Sequence, residues 1–514
     1  MMSSTGMMLM TLRAIATNTN RSPLLKHCDP SLIITRKNKL KGGGVMPLSM
    51  SYDRHVLSLP RGILGEFRLV WQAIGVMSIA ADAAYLITGA AYFALGSLPL
   101  SIALGVVFYL FIMNTGYQFS RFVSSAGSYY KFVSVSLGGY MGVFQAWNMA
   151  FYIIIGYASF GFLGLASFLL LVNLSYSIIE YWPLVVITAG TISLLFTYFG
   201  IKVSTDYQIL GGLLEIGTLL VGAIALIMMS GRSNTMLVFT TYFIKNNVYR
   251  LFQSMVYSVV LFFGTALAVT SLAEEAKQPE KTITRALLYT VLIAGATLVL
   301  VSYALTVSWG PMRMWSFASS PDPGLILFRR VNYALYILLL VLTVNSFMGF
   351  NVAFSNTASR VFYAFARDGI MFLPKQLMYV HRKYGSPYIS ALFIYAISVA
   401  IALVLGLLFG PVIGGLFGLY MNSYAAFMEH ILASIGLPFI AKRRGKFKII
   451  QHVVLPTMAI GTLVMIMILS LFPAPPSYPF NIAAYIGIAW IPTSALITLL
   501  EGRIHPNAIK GRNT

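Results

Sequence analysis

Ser78-Ile79-Ala80-Ala81-Asp82-Ala83-Ala84-Tyr85 is a run of small residues around one carboxylate, set in an apolar stretch that covers roughly 71–95. A helix rises about 1.5 Å per residue, so about 20 residues cross a hydrocarbon core about 30 Å thick, and this stretch is long enough to cross with some tilt. Small residues at mid-membrane either let helices pack closely or mark a helix that is interrupted there. A second run of this kind, Phe262-Phe263-Gly264-Thr265-Ala266, lies in the apolar stretch 249–272. Further stretches fall at roughly 98–119, 138–171, 182–200, 207–230, 286–310, 331–358, 388–410, 412–438, 451–472 and 480–500. The two runs therefore occupy the first and sixth of about twelve spans. Five spans is an odd separation, so the second run is traversed in the opposite sense to the first. Paired interrupted helices in inverted halves point to the central site of a transporter.

The composition agrees that lipid is the solvent. Of 514 residues, 58% are hydrophobic and 10% charged, with a mean hydropathy of +0.80. A soluble domain carries about 25% charged residues. The short alternating segments of an outer-membrane barrel are absent, which leaves an all-α polytopic membrane protein.

Charge placement gives an orientation. The formal net charge is +21, from 35 basic and 14 acidic residues. With the N-terminus inside, only Arg232, Lys245, Arg250, Arg313, Arg329 and Arg330 of the 35 fall outside. Basic residues concentrate in cytoplasmic loops, so both termini are expected inside a multi-pass protein of the cell membrane. Residues 1–65 are basic and hold no run long enough to span, and they read as a disordered cytoplasmic tail rather than a signal or transit peptide. Met46 and Met50 allow a later start. The transmembrane region is expected over 66–502, followed by a short inside tail at 503–514.

Three acidic residues fall within spans: Asp82, Glu215 and Glu429, the last beside His430. A charge at the bilayer centre costs at least about 2.5–3.5 kcal/mol, so each must face a cavity, find a partner or hold a proton. Asp82 can pair with a solute ammonium, carry a proton, or cap a broken half-helix. Glu215 can carry a proton or tie one helix to another. Glu429 lies nearer the inner end of its span, where a side chain can reach the interface. Polar residues also line one face of two spans, Asn148 and Tyr152 in the third and Asn351 and Ser355 in the eighth. Such stripes either hold helices together or form a wet lining for a solute or ion.

Enzyme chemistry has little footing. No Gly-rich loop ending in Gly-Lys-Ser/Thr is present, so nothing suggests ATP drive. The six histidines do not cluster at metal-ligand spacing, and the single cysteine, Cys28, permits no intramolecular disulfide. Neither a metal nor a cofactor nor nucleic acid is expected.

Three segments carry a resemblance. Glu274-Glu275-Ala276-Lys277-Gln278-Pro279-Glu280-Lys281-Thr282-Ile283 follows span 6. Ser359-Arg360-Val361-Phe362-Tyr363-Ala364-Phe365-Ala366-Arg367-Asp368-Gly369 closes span 8, with Pro374 and Gly385-Ser386-Pro387 after it. Ala126-Gly127-Ser128-Tyr129-Tyr130, then Leu137-Gly138 and Trp147, precede and enter span 3. In this order they resemble the signatures of the amino acid–polyamine–organocation permease superfamily, over about 66–500.

The resemblance implies two inverted five-helix repeats, 5+5, at about 71–230 and 249–438, plus two extra helices at about 451–500. It implies substrate binding at the two breaks, carried here by Ala80, Ala81, Asp82, Ala83 and Ala84, and by Phe262, Phe263, Gly264, Thr265 and Ala266. Backbone groups freed at such breaks bind the carboxylate and amine of a substrate, and a half-helix N-terminus suits an anion. Many members carry glycines at the first break where this chain has alanines and Asp82. Either Asp82 is protonated or turned away, or the substrate is an amine without a carboxylate. The expectation is a secondary transporter of an amino acid or related amine, driven by protons through Asp82 or Glu215, with sodium coupling, exchange or polyamine transport as alternatives. A non-transporting amino-acid sensor on the same scaffold is the other class.

Overall fold

Uncharged runs of Leu, Ile, Val, Phe and Ala leave the backbone no hydrogen-bond partner in lipid but itself, and such runs form helices. A computed structural model of the chain describes residues 55–56, 58–172, 178–472, 475–504 and 506. The expected N-terminal tail up to residue 54, and most of the C-terminal tail, lie outside the described residues. Among the described residues ten helices are long and apolar enough to cross a membrane. The longest, Tyr388–Arg443, contains Gly410 at φ 75°, ψ 159°, followed by Pro411, and is two helices joined at a kink. The helix Ile201–Ser230 turns Leu210, Leu213, Leu214, Val221 and Met228 outward, as a lipid-facing surface requires.

Span 1 is interrupted. Its first half, Glu66–Met77, stops where Ser78 takes a left-handed conformation, φ 54°, ψ 53°. Helix resumes at Ile79–Ala81, widens by one residue per turn over Asp82–Leu86, and continues as Ile87–Ala94. The interruption thus begins at Ser78, two residues before the expected 80–84, and its widened turns overlap that run. A non-glycine residue in this region costs on the order of 1–3 kcal/mol. Ser78 Oγ offsets part of it by donating to the Ser346 carbonyl at 3.0 Å, on span 8.

Span 6 breaks differently. Val248–Val260 ends in tight turns, in which Phe262 N–H donates to the Val259 carbonyl and Phe263 N–H to that of Val260. Gly264 then adopts φ 90°, and helix restarts at Thr265–Thr270. Glycine is required here twice over, by the positive φ and by Val76, whose Cγ1 would stand 2.9 Å from a Cβ at this position. The halves pair crosswise. Glu66–Met77 packs on Thr265–Thr270, and Ile87–Ala94 on Val248–Val260. The two interrupted spans therefore run antiparallel side by side, as inverted halves demand.

The described part of the expected tail is not loose. His55–Val56 pairs antiparallel with Val380–His381. Leu59 is buried with Ala126, Tyr363, Ala364 and Val380. Ile63 and Leu64 N–H donate to the Glu275 carbonyl, and Lys277 N–H donates to that of Leu64. Residues 58–65 find backbone partners and an apolar seat on the loops that carry the motifs.

Candidate functional site

The two breaks flank a cavity of about 430 Å³. Span 1 gives it Val76, Met77, Asp82, Leu86 and Gly89, and span 6 gives it Tyr257, Val260, Leu261 and Phe263. It extends from the breaks towards the end of the molecule away from the motifs, where Pro476 and Phe480 line it. Most of its wall is aromatic or aliphatic. Phe350 stacks on Phe354 at 4.9 Å between ring centres, Phe160 meets Phe350 at 4.4 Å, and Phe263 meets Phe427 at 5.5 Å.

Among the described residues Asp82 is the only acidic group in that wall. It is 1% exposed, and its Oδ2 has no hydrogen-bond partner. Of the alternatives open for it, turning away from the site is excluded. Capping the broken helix is the work of another carboxylate. Glu215, in Ile201–Ser230, accepts the Ala80 N–H on Oε2 at 3.4 Å, Ser346 Oγ on the same oxygen at 2.7 Å, and Asn345 Nδ2 on Oε1 at 2.9 Å. One side chain of span 5 thereby holds the restart of span 1 to span 8, and it does so outside the cavity wall.

The expected binding residues divide accordingly. Asp82 and Phe263 line the cavity. Ala80, Ala81, Ala83, Ala84, Phe262, Gly264, Thr265 and Ala266 pack behind that wall. The Ala80 N–H, expected to face a substrate carboxylate, is already bonded to Glu215. Among the lining candidates Tyr152 reaches the cavity. Asn148 instead donates to the Phe144 carbonyl and to Ser494 Oγ, Asn351 to the Gly161 carbonyl, and Ser355 accepts from Thr197 Oγ1. These three join helices, the commoner use of polar groups in lipid. Asn422 and Ser423 of span 10 line the cavity and were not singled out in the sequence, because nothing in their spacing separates them from helix-joining residues.

Beyond the breaks the structure is closed by the motifs. Arg360 and Glu275 are both 0% exposed and meet as a fork, Nε to Oε2 at 2.8 Å and Nη2 to Oε1 at 3.2 Å. Arg367 Nη1 meets both oxygens of Glu274 at 2.8 and 2.9 Å. Glu274 Oε1 also accepts the Ala126 N–H, and Tyr130 and Lys131 meet Asp368 Oδ2. All three sequence segments thus converge on one seal. Glu429 is a different surprise. It does not reach an interface but is 1% exposed, with neither oxygen hydrogen-bonded.

An all-α, multi-pass membrane protein with a cavity at paired helix breaks and a sealed end has the form of a solute transporter. The family model for amino acid permeases matches residues 68–500, and the chain belongs to that family. No curated protein matches it.

Proposed function

We propose that the protein is a secondary transporter that carries an amino acid or related amine with a large apolar side chain by alternating access. The observation that carries this reading is Asp82, an unpartnered carboxylate in an otherwise apolar and aromatic cavity between the two breaks. A buried anion without a partner is costly, and a substrate ammonium supplies the missing charge. The aromatic wall takes the side chain and favours a cation beside its ring faces. Since the Ala80 N–H is held by Glu215, recognition rests on the ammonium more than on the carboxylate, which favours amines and esters as well as amino acids.

In this reading the motif-bearing end is cytoplasmic, both termini lie inside the cell membrane, and the cavity is open to the outside. Opening inward parts Glu275 from Arg360 and Glu274 from Arg367 as spans 1, 2, 6 and 7 rock against 3–5 and 8–10. A proton gradient drives the cycle. Asp82 and Glu215 are its candidate carriers on spans 1 and 5, the first by exchanging its proton for the ammonium, the second by releasing the Ala80 N–H when protonated.

Uptake by the purified full chain in proteoliposomes tests this. Aromatic and branched amino acids and their decarboxylated amines are expected to enter and to compete with one another, and an outside-acid pH gradient is expected to raise accumulation. Tight binding with no uptake of any of them would make the protein a sensor instead. Accumulation that survives Glu215→Gln at full strength removes Glu215 as a proton carrier.

A further inference from the structure

Phe263 separates the cavity from a second set of buried polar atoms that substrate recognition does not use. Its ring lines the cavity and meets the His430 ring at 5.1 Å. Next to His430, both oxygens of Glu429 are buried without a partner, and so are His430 Nδ1 and the hydroxyls of Tyr109 and Tyr129. Tyr129 packs edge-on against His430 at 4.8 Å. Gln145 donates to the Glu429 backbone carbonyl at 3.2 Å, leaving its own Oε1 unpartnered.

The titratable groups near enough to feel a charge on Glu429 are Tyr109 from Leu98–Phe119, Tyr129 from Ser128–Leu137 and Tyr152 from Gly139–Gly156, with His430 on its own helix. Glu501, on the helix packed alongside, is occupied by the Met371 N–H and by Trp147 Nε1. Among the described residues Glu429 makes no ion pair with a basic side chain. An ionised carboxylate sealed without a partner is costly, so a proton or a cation must offset its charge there. Tyr152 shares the helix Gly139–Gly156 with Gln145. It lines the cavity, and its hydroxyl stands 3.2 Å from where a Cβ on Gly264 would be, at the span 6 break.

We propose that Glu429 is a proton-binding site of the transport cycle, loaded from the cavity side and unloaded towards the motif-bearing end when the seal opens. This rests on the transporter reading above and names a carrier distinct from Asp82 and Glu215. The bookkeeping is one proton. A carboxylate oxygen of Glu429 takes a proton from water on the cavity side, gaining an O–H bond, and the acid later returns that proton to water on the other side. Coupling follows from the sealing itself. With Glu429 ionised, the closed intermediate is too costly to cross, so the carrier turns over inward only when loaded.

Glu429→Gln tests this, since the amide has the shape of the acid and never ionises. In proteoliposomes it is expected to keep counterflow of substrate at equal pH, to lose accumulation under an outside-acid gradient, and to lose the pH dependence of uptake. Gradient-driven accumulation with the wild-type pH profile would overturn the proposal. If that variant does not fold, Glu429→Asp serves, and it is expected to accumulate substrate with its pH midpoint displaced; an unchanged midpoint would count against a proton on Glu429. Wild-type accumulation that follows sodium and ignores pH would also overturn it while leaving the transporter reading intact. A wild type that moves no solute would sink that reading first.

Discussion

Arg360→Ala is expected to destabilise the protein by about 3–5 kcal/mol, the cost of stranding one partner of a buried ion pair. Arg360 has no exposed surface, and beyond its fork on Glu275 it also directs Nη1 to the Asn356 carbonyl, Asn356 Oδ1 and Ser359 Oγ, each at 3.4 Å. The truncation leaves the Glu275 carboxylate sealed among apolar neighbours with no cation. Arg367→Ala is the internal comparison. Its pair with Glu274 is 31% and 20% exposed, and pairs open to water contribute about 0–1 kcal/mol. Thermal unfolding of both variants in detergent reads the difference. A large fall in melting temperature for Arg360→Ala beside a small one for Arg367→Ala is the expected pattern. Similar small falls for both would mean that the Arg360–Glu275 pair is not sealed in the ground state. The double change Arg360→Met with Glu275→Leu should recover much of the loss, since an apolar pair of similar volume often replaces a buried salt bridge without penalty.

The largest effect on function is expected from Asp82→Asn. Removing one partner of a desolvated charge pair costs about 2–5 kcal/mol of binding, which corresponds to a weakening of roughly 30-fold or more. The amide fills the same space and keeps the Asp82 N–H bond to the Ser78 carbonyl, so the span 1 restart should stand. Stability is expected to hold or to rise, because a buried unpartnered carboxyl is replaced by a neutral group. Amines without a carboxylate should lose more affinity than amino acids, having no second charge to engage. Equilibrium binding of a labelled aromatic amine to wild type and variant measures this, with melting temperature as the control for folding. Equal affinities in the two proteins would remove Asp82 from recognition.

Much of the architecture was legible because lipid imposes a single rule on long apolar runs. Span 2, expected at 98–119, is the helix Leu98–Phe119, and span 12, expected from 480, begins at Phe480. The convergence of Glu274 and Glu275 with Arg360 and Arg367 was also readable, since opposite charges in loops on the same side of the membrane seek each other. Span 1 turns left-handed at Ser78, two residues before the expected 80–84, and widens over Asp82–Leu86. Alanine has the highest helix propensity, so the run Ile79–Ala81 stays helical, and the discontinuity falls on Ser78, whose hydroxyl can hold a foreign carbonyl. Other features depend on contacts between distant parts of the chain. Glu215 lies 135 residues from the Ala80 N–H that it accepts, and no local pattern links them. Asn148, Asn351 and Ser355 look the same in sequence whether they face water or another helix. For Glu429, position along the span suggests an interface, but its side chain is buried with both oxygens unpartnered, which depends on neighbouring helices and not on place in the span.

Protection of a single cysteine tests most directly that the space between the two breaks is where the solute sits with its ammonium on Asp82. Ser423→Cys places a thiol on the cavity wall, and Cys28→Ser removes the native one. A membrane-impermeant maleimide added from outside is expected to label Cys at this position, and a transported amine to slow that labelling in a protein with Asp82 but not in one carrying Asp82→Asn. Labelling that no transported solute slows, or that proceeds only from the motif-bearing side, would contradict the account.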